Sequence, residues 1–109
     1  MKIKNTLQKG SVRYIVFREE GIWYAVNLEF NIVESGDNPM EVLAMLFEAT
    51  EGYLESAKKI KARPHILNQK TDKQYEDLWN ILEKGGQQKE KTKMPWVFAF
   101  GQMPLAVAA

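Results

Sequence analysis

Residues 11–41 read SVRYIVFREEGIWYAVNLEFNIVESGDNPME, and this stretch decides the fold. Residues 11–18 and 22–30 are rich in β-branched and aromatic types, the composition of strands. Glu19-Glu20-Gly21 between them is a short polar turn with a glycine, so a hairpin is expected. The second strand alternates, with Ile22, Tyr24, Val26, Leu28 and Phe30 on one face and Trp23, Ala25, Asn27 and Glu29 on the other. The first of these is expected to be the core face. The first strand is apolar on both faces, with Val12, Tyr14 and Val16 on one and Ile15 and Phe17 on the other. Ile15, Phe17, Trp23 and Ala25 are therefore expected to form a second apolar patch, covered by the chain's own C-terminal segment or by a second subunit. The second option predicts a homodimer through these four residues. Trp23 is the foremost candidate, because tryptophan dominates binding hot spots.

Working outward, residues 31–35 read as a short third strand ended by Gly36. Asn38 then caps a helix, Pro39 takes its first position, and Glu41 completes a capping box. Val42, Leu46, Ala49, Tyr53, Ala57 and Ile60 recur at helical spacing, with Leu43, Met45 and Leu54 widening the stripe. The spacing predicts a helix over 39–62, stopped by Pro64, with Lys58, Lys59 and Lys61 in its last turns. Residues 64–70 are expected to form a short strand or a docking loop. Thr71-Asp72-Lys73-Gln74 repeats the capping signal, and Tyr75, Leu78, Trp79 and Leu82 share one face of a helix over about 72–84. Gly85-Gly86 closes it.

A polar linker follows at 87–93, then an apolar tail over 94–109 broken by Pro95, Gly101 and Pro104. Within the tail, residues 96–100 read as a strand. Addition to the chain's own sheet is favoured over addition to a partner, because an exposed apolar edge invites aggregation.

The reading is thus of an α+β fold: a three- or four-stranded antiparallel sheet with one long helix packed on it, plus a C-terminal helix. Residues 1–64 form the core unit. Residues 65–109 extend it and are not a separate domain.

Composition narrows the function. The chain has 109 residues and no cysteine, which excludes disulfides, thiolate metal sites and thiol nucleophiles. His65 is the one histidine, too few for a histidine-rich metal site and unsupported as a catalytic base. Neither a metal nor a cofactor is expected. Glu29, Glu34, Asp37 and Glu41 are the carboxylates near the hairpin and helix start. Asp37 and Glu41 are explained by the helix N-terminus, and Glu29 lies opposite the core stripe, so a two-metal nuclease is not expected.

Net charge is +1, but residues 1–57 hold 5 basic and 9 acidic side chains (net −4) and residues 58–109 hold 10 basic and 5 acidic (net +5). Lys58, Lys59, Lys61 and Arg63 cluster at the end of the long helix and are the candidate nucleic-acid contacts, although aromatic residues are not interleaved with them. No apolar run approaches the roughly 20 residues of a membrane helix, and MKIKNTLQKG lacks an apolar signal core. A cytoplasmic location is expected.

The run from Arg13 to Leu54, RYIVFREEGIWYAVNLEFNIVESGDNPMEVLAMLFEATEGYL, covers 42 of 109 residues and resembles the HicB-like antitoxin domain. The resemblance lies in the ordered combination of a strand, an acidic-glycine turn and a Trp/Tyr-bearing strand. A short strand, the helix entry Gly36-Asp37-Asn38-Pro39, leucine-rich positions and Tyr53 near the helix end complete it. It implies a compact βββα(β) unit of partial RNase H-like type. It further implies a non-enzymatic role: masking a HicA-type toxin, a small RNA-cleaving protein. Many members carry a C-terminal DNA-binding domain. Here residues 65–109 offer one helix and a proline-broken tail, without a helix-turn-helix or ribbon-helix-helix, which argues against operator binding.

Overall fold

A computed structural model of the chain describes residues 5–6, 10–85 and 95–105. The elements run β1 (Ser11–Glu19), β2 (Ile22–Asn27), β3 (Ile32–Gly36), α1 (Pro39–Lys59), a 3₁₀ turn (Pro64–Leu67), α2 (Lys73–Glu83) and β4 (Trp96–Pro104). Gly86, the linker 87–93, Met94 and residues 106–109 of the tail lie outside the described residues.

The strands form one antiparallel sheet in the order β3-β2-β1-β4. The tail therefore extends the chain's own sheet, beside β1. Among the described residues no helix is long and apolar enough to cross a membrane.

The hairpin corrects the sequence reading by one residue, with large consequences. Glu19 pairs with Ile22, so the loop is two residues, Glu20-Gly21. Their φ values of 52° and 79° are both positive, as a two-residue turn matching strand twist requires. A three-residue loop would have put Ile15 and Phe17 on the face of Trp23 and Ala25. Instead Ile15 faces Val26 and Phe17 faces Tyr24, while Val16 faces Ala25 and Arg18 faces Trp23. A one-residue change of register exchanges the two faces. The expected patch of Ile15, Phe17, Trp23 and Ala25 is thus divided between opposite sides of the sheet. All four residues are buried within the single chain.

Each side has its own helix. On one, Val16, Trp23 and Ala25 pack against Val42 and Leu46 of α1. On the other, Ile15, Phe17, Val26 and Leu28 pack against Leu78, Trp79 and Leu82 of α2. The long helix therefore covers the face of Trp23 and Ala25, while of the Ile22–Phe30 stripe expected to meet it Tyr24, Val26 and Leu28 lie on the α2 side and Phe30, beyond β2, packs against Tyr53 and Leu54 of α1. A third cluster, with Val12, Phe30, Leu54, Ala57, Leu67 and Leu105, closes one end of the sheet.

α1 starts as its sequence dictates. Asn38 Oδ1 accepts from the N–H groups of Met40 (2.8 Å) and Glu41 (3.1 Å), and Pro39 occupies the first turn. The helix ends at Lys59, three residues before the expected boundary, and Ile60 is its exposed C-cap. α2 is capped by Asp72, which accepts from Gln74 N–H, and Gly85 ends it with a φ of 94°.

Two buried polar groups interrupt the apolar pattern and satisfy each other. The Asn27 side-chain amide donates to Thr50 Oγ1 (2.9 Å), and the Thr50 hydroxyl donates back to the Leu46 carbonyl (2.7 Å). Asn27 Oδ1 also accepts from Phe30 N–H, fixing the turn after β2. Paired in this way, the groups avoid the penalty of burial without partners.

Candidate partner-binding groove

α1 lies over β3 and β2 and reaches β1 less. β4 was added on the far side of β1, so much of its α1-side face has no helix above it. In the middle of the strand the residues there are small, Ala99 opposite Val16 and Gly101 opposite Tyr14, with Trp96 and Phe98 against Trp23 at one end and Met103 opposite Val12 at the other. A Cβ at position 101 would stand 3.1 Å from Tyr14 Oη, so glycine leaves room for the Tyr14 ring. That ring packs edge-on against Phe47 of α1, with centroids 5.5 Å apart.

A groove of about 590 Å³ lies between α1 and the end of β4. Its apolar surfaces come from Phe47 and Leu54 on the helix and from Met103, Pro104 and Leu105 at the strand end. Glu48, Glu51 and Glu55 also line it. They stand at i, i+3 and i+7, one edge of a helix, and all three are exposed. None is in an ion pair among the described residues. Lys58 lines the far end. An apolar trough with an acidic wall suits a partner that brings apolar side chains and positive charge.

The opposite face carries charge of another kind. Arg13 Nε donates to Glu29 Oε2 at 2.6 Å, and its two terminal nitrogens donate to both oxygens of Glu76 at 2.8 and 3.0 Å. Glu29 Oε1 also accepts from the Arg13 backbone N–H, and the guanidinium lies 5.5 Å from the centre of the Trp79 ring. Burial works against the Arg13 charge, but Glu76 and Glu29 outweigh it and raise its pKa above the ordinary value. Hydrogen bonding from Arg13 lowers Glu76 below its ordinary value against the opposing effect of burial. This cluster fastens α2 to β1 and to the loop after β2.

The carboxylates weighed as nuclease ligands are dispersed. Glu29 belongs to the Arg13 cluster, Glu34 sits on β3 opposite Ala25, and Asp37 and Glu41 are exposed at the start of α1. Among the described residues no three His, Cys, Asp or Glu side chains gather to hold a metal ion. His65 is exposed in the 3₁₀ turn, where its carbonyl accepts from Asn68 N–H.

Lys58 and Lys59 end α1, Lys61 follows with a φ of 52°, and Arg63 precedes the 3₁₀ turn. These four cations lie together at one end of α1, and none is in an ion pair among the described residues. The nearest aromatic in sequence, Tyr53, is occupied: its hydroxyl donates to the Ile66 carbonyl and accepts from Gln69.

Trp23 is covered by α1-side residues and by two aromatics of β4, Trp96 (centroids 5.3 Å apart) and Phe98 (5.9 Å). The carboxylates of the groove and the Arg13 cluster were missed in the sequence. The spacing of Glu48, Glu51 and Glu55 is visible there, but such a run ordinarily marks a solvated helix face. Only the position of β4 makes it the wall of a groove. No family model, no curated protein and no solved structure matches the chain.

Proposed function

We propose that this chain is a non-enzymatic, HicB-like antitoxin-type protein that binds a small basic RNA-cleaving protein of the HicA type and masks its RNA-contacting surface. The observation that carries the reading is the apolar groove walled by Glu48, Glu51 and Glu55. A surface that binds RNA must present cations to phosphates. A protein that masks it gains from presenting carboxylates in their place, and from apolar area that displaces water. The order of β1, β2, β3 and α1 agrees with the antitoxin-like pattern read between Arg13 and Leu54. α2 and β4 supply the parts of the groove and scaffold outside that pattern.

The test is capture with the tagged full chain from its native cells, followed by an RNA-cleavage assay on whatever is recovered. The expected result is a small basic protein that cleaves RNA when freed and stops when the chain is added back in equal amount. Recovery of a partner without RNA-cleaving activity, or of the chain alone, would contradict the proposal. Salt-dependent binding of the chain itself to RNA, lost on changing Lys58, Lys59, Lys61 and Arg63, would favour a nucleic-acid-binding role instead.

A further inference from the structure

We infer that the outer edge of β4 pairs with β4 of a second copy of this chain, antiparallel about a two-fold axis, joining the two sheets into one. The sheet has two edges, and they are built differently. β3 is five residues long, contains Glu34 and runs directly into Asp37, the short and charged form that discourages pairing. β4 is nine residues long, and no charged residue occurs between Trp96 and Leu105. Its side chains include Trp96, Phe98 and Phe100, which are 65%, 41% and 42% exposed. A long edge with exposed aromatics and no charge is unprotected unless something pairs with it.

The chemistry of the strand selects the occupant. A basic partner would find no counter-charge along β4. A second copy meets no like-charge repulsion there, because the strand is neutral throughout. Geometry then limits the register. A two-fold axis perpendicular to the sheet keeps the α1 side of one copy level with the α1 side of the other. Directly opposed residues share a face, so the axis must pass beside a residue paired with itself. The midpoint of Trp96–Pro104 is Phe100. Pairing centred there sets the two Phe100 rings against each other on one face and Ala99 against Gly101 on the other. Each Phe100 already packs edge-on against Trp79 of its own α2, with centroids 5.7 Å apart, so the pairing extends that aromatic row across the axis. The irregular step of β4, opposite Val16 and Phe17, falls at Phe98, two residues from this centre, so regular alternation runs from Ala99 onward, and Pro104 stands at the strand end, where a missing N–H matters least.

This inference does not rest on the antitoxin reading, because it is tested on the purified full chain alone. Sedimentation equilibrium should return twice the 12.6 kDa chain mass. Phe100→Lys, which places two like charges on the axis, should halve the measured mass while leaving the far-ultraviolet circular dichroism unchanged. Hydrogen exchange resolved to single amides gives a second readout that needs no variant. Alternate β4 amides should be protected at high protein concentration and should lose at least about tenfold of that protection on dilution to the monomer. A wild-type chain that stays monomeric at every concentration would overturn the inference, as would a dimer that keeps its mass in a folded Phe100→Lys chain. If that variant fails to fold, exchange decides: β4 amides with no concentration-dependent protection overturn the inference, and the dilution effect upholds it.

Discussion

The two faces of the sheet are held by different physics. Under α1 the contacts near the middle of the sheet are aliphatic, with Val16, Ala25, Val42 and Leu46 all fully buried. The helix is 21 residues long and capped by its own Asn38. Under α2 the aliphatic residues Ile15, Val26, Leu28, Leu78 and Leu82 are joined by Phe17 and Trp79, and the helix has only 11 residues, short for a helix without tertiary support. It is fastened by Arg13, which reaches from β1 to Glu29 and Glu76. The difference shows how one sheet can carry a self-sufficient helix and a dependent one. It also frees the two helices for different work. α2 directs a glutamate, Glu76, inward to hold the fold. Along the groove, α1 directs its glutamates outward.

The largest loss of stability is expected on the α1 side. Leu46→Ala removes a fully buried side chain between α1 and the sheet and is expected to cost about 3 kcal/mol, the middle of the range for such truncations. Urea unfolding checks this, as a lowered midpoint at unchanged slope. Arg13→Met should cost less, about 2 kcal/mol, since it removes charged hydrogen bonds and leaves Glu29 buried with the backbone N–H as its remaining partner. Its signature is local. Amides of α2 should exchange faster while those of α1 keep their protection. Equal loosening of both helices would show that the faces are not independently held.

The smallest effect is one of pH. The folded state lowers the pKa of Glu76, chiefly through the Arg13 hydrogen bond. The stabilisation is therefore fully present above the unfolded carboxylate value of about 4.3 and is lost as pH falls through the lower folded value. Glu76 is more than a third exposed, so solvent screening holds the effect below about 1 kcal/mol. Comparing the pH dependence of stability in the parent and in Glu76→Gln isolates it. The acid-side loss should be shallower in the variant.

Much of this architecture was legible in the sequence because its signals are local. Asn38-Pro39 and Asp72 announce both helices, and the stripe of Leu78, Trp79 and Leu82 identifies the buried side of α2. Trp96–Phe100 reads as a strand from composition alone. What escaped depends on contacts between distant segments. The assignment of faces turned on whether Glu19 belongs to the loop or to β1, and strand composition cannot settle one residue. Thr50 looks like an interruption of the α1 stripe until Asn27, 23 residues earlier, is seen to donate to it. Arg13 looks like a surface cation until Glu29 and Glu76 converge on it. The groove needs β4 beside β1, a pairing across more than half the chain. No local pattern of Glu48, Glu51 and Glu55 contains that information.

On the proposed function, a basic RNA-cleaving partner is held on the α1 side of the molecule and not on the α2 side. The measurement is inhibition of that partner's RNA cleavage by two charge-reversed forms of the chain. One carries Glu48→Lys, Glu51→Lys and Glu55→Lys on the groove wall, and the other carries Asp77→Lys and Glu83→Lys on the exposed side of α2. The account predicts that the first form loses inhibition by at least about 100-fold, the size of effect that like charges across an interface produce, while the second inhibits as the parent does. Inhibition unchanged in the first form, or lost equally in both, would contradict it.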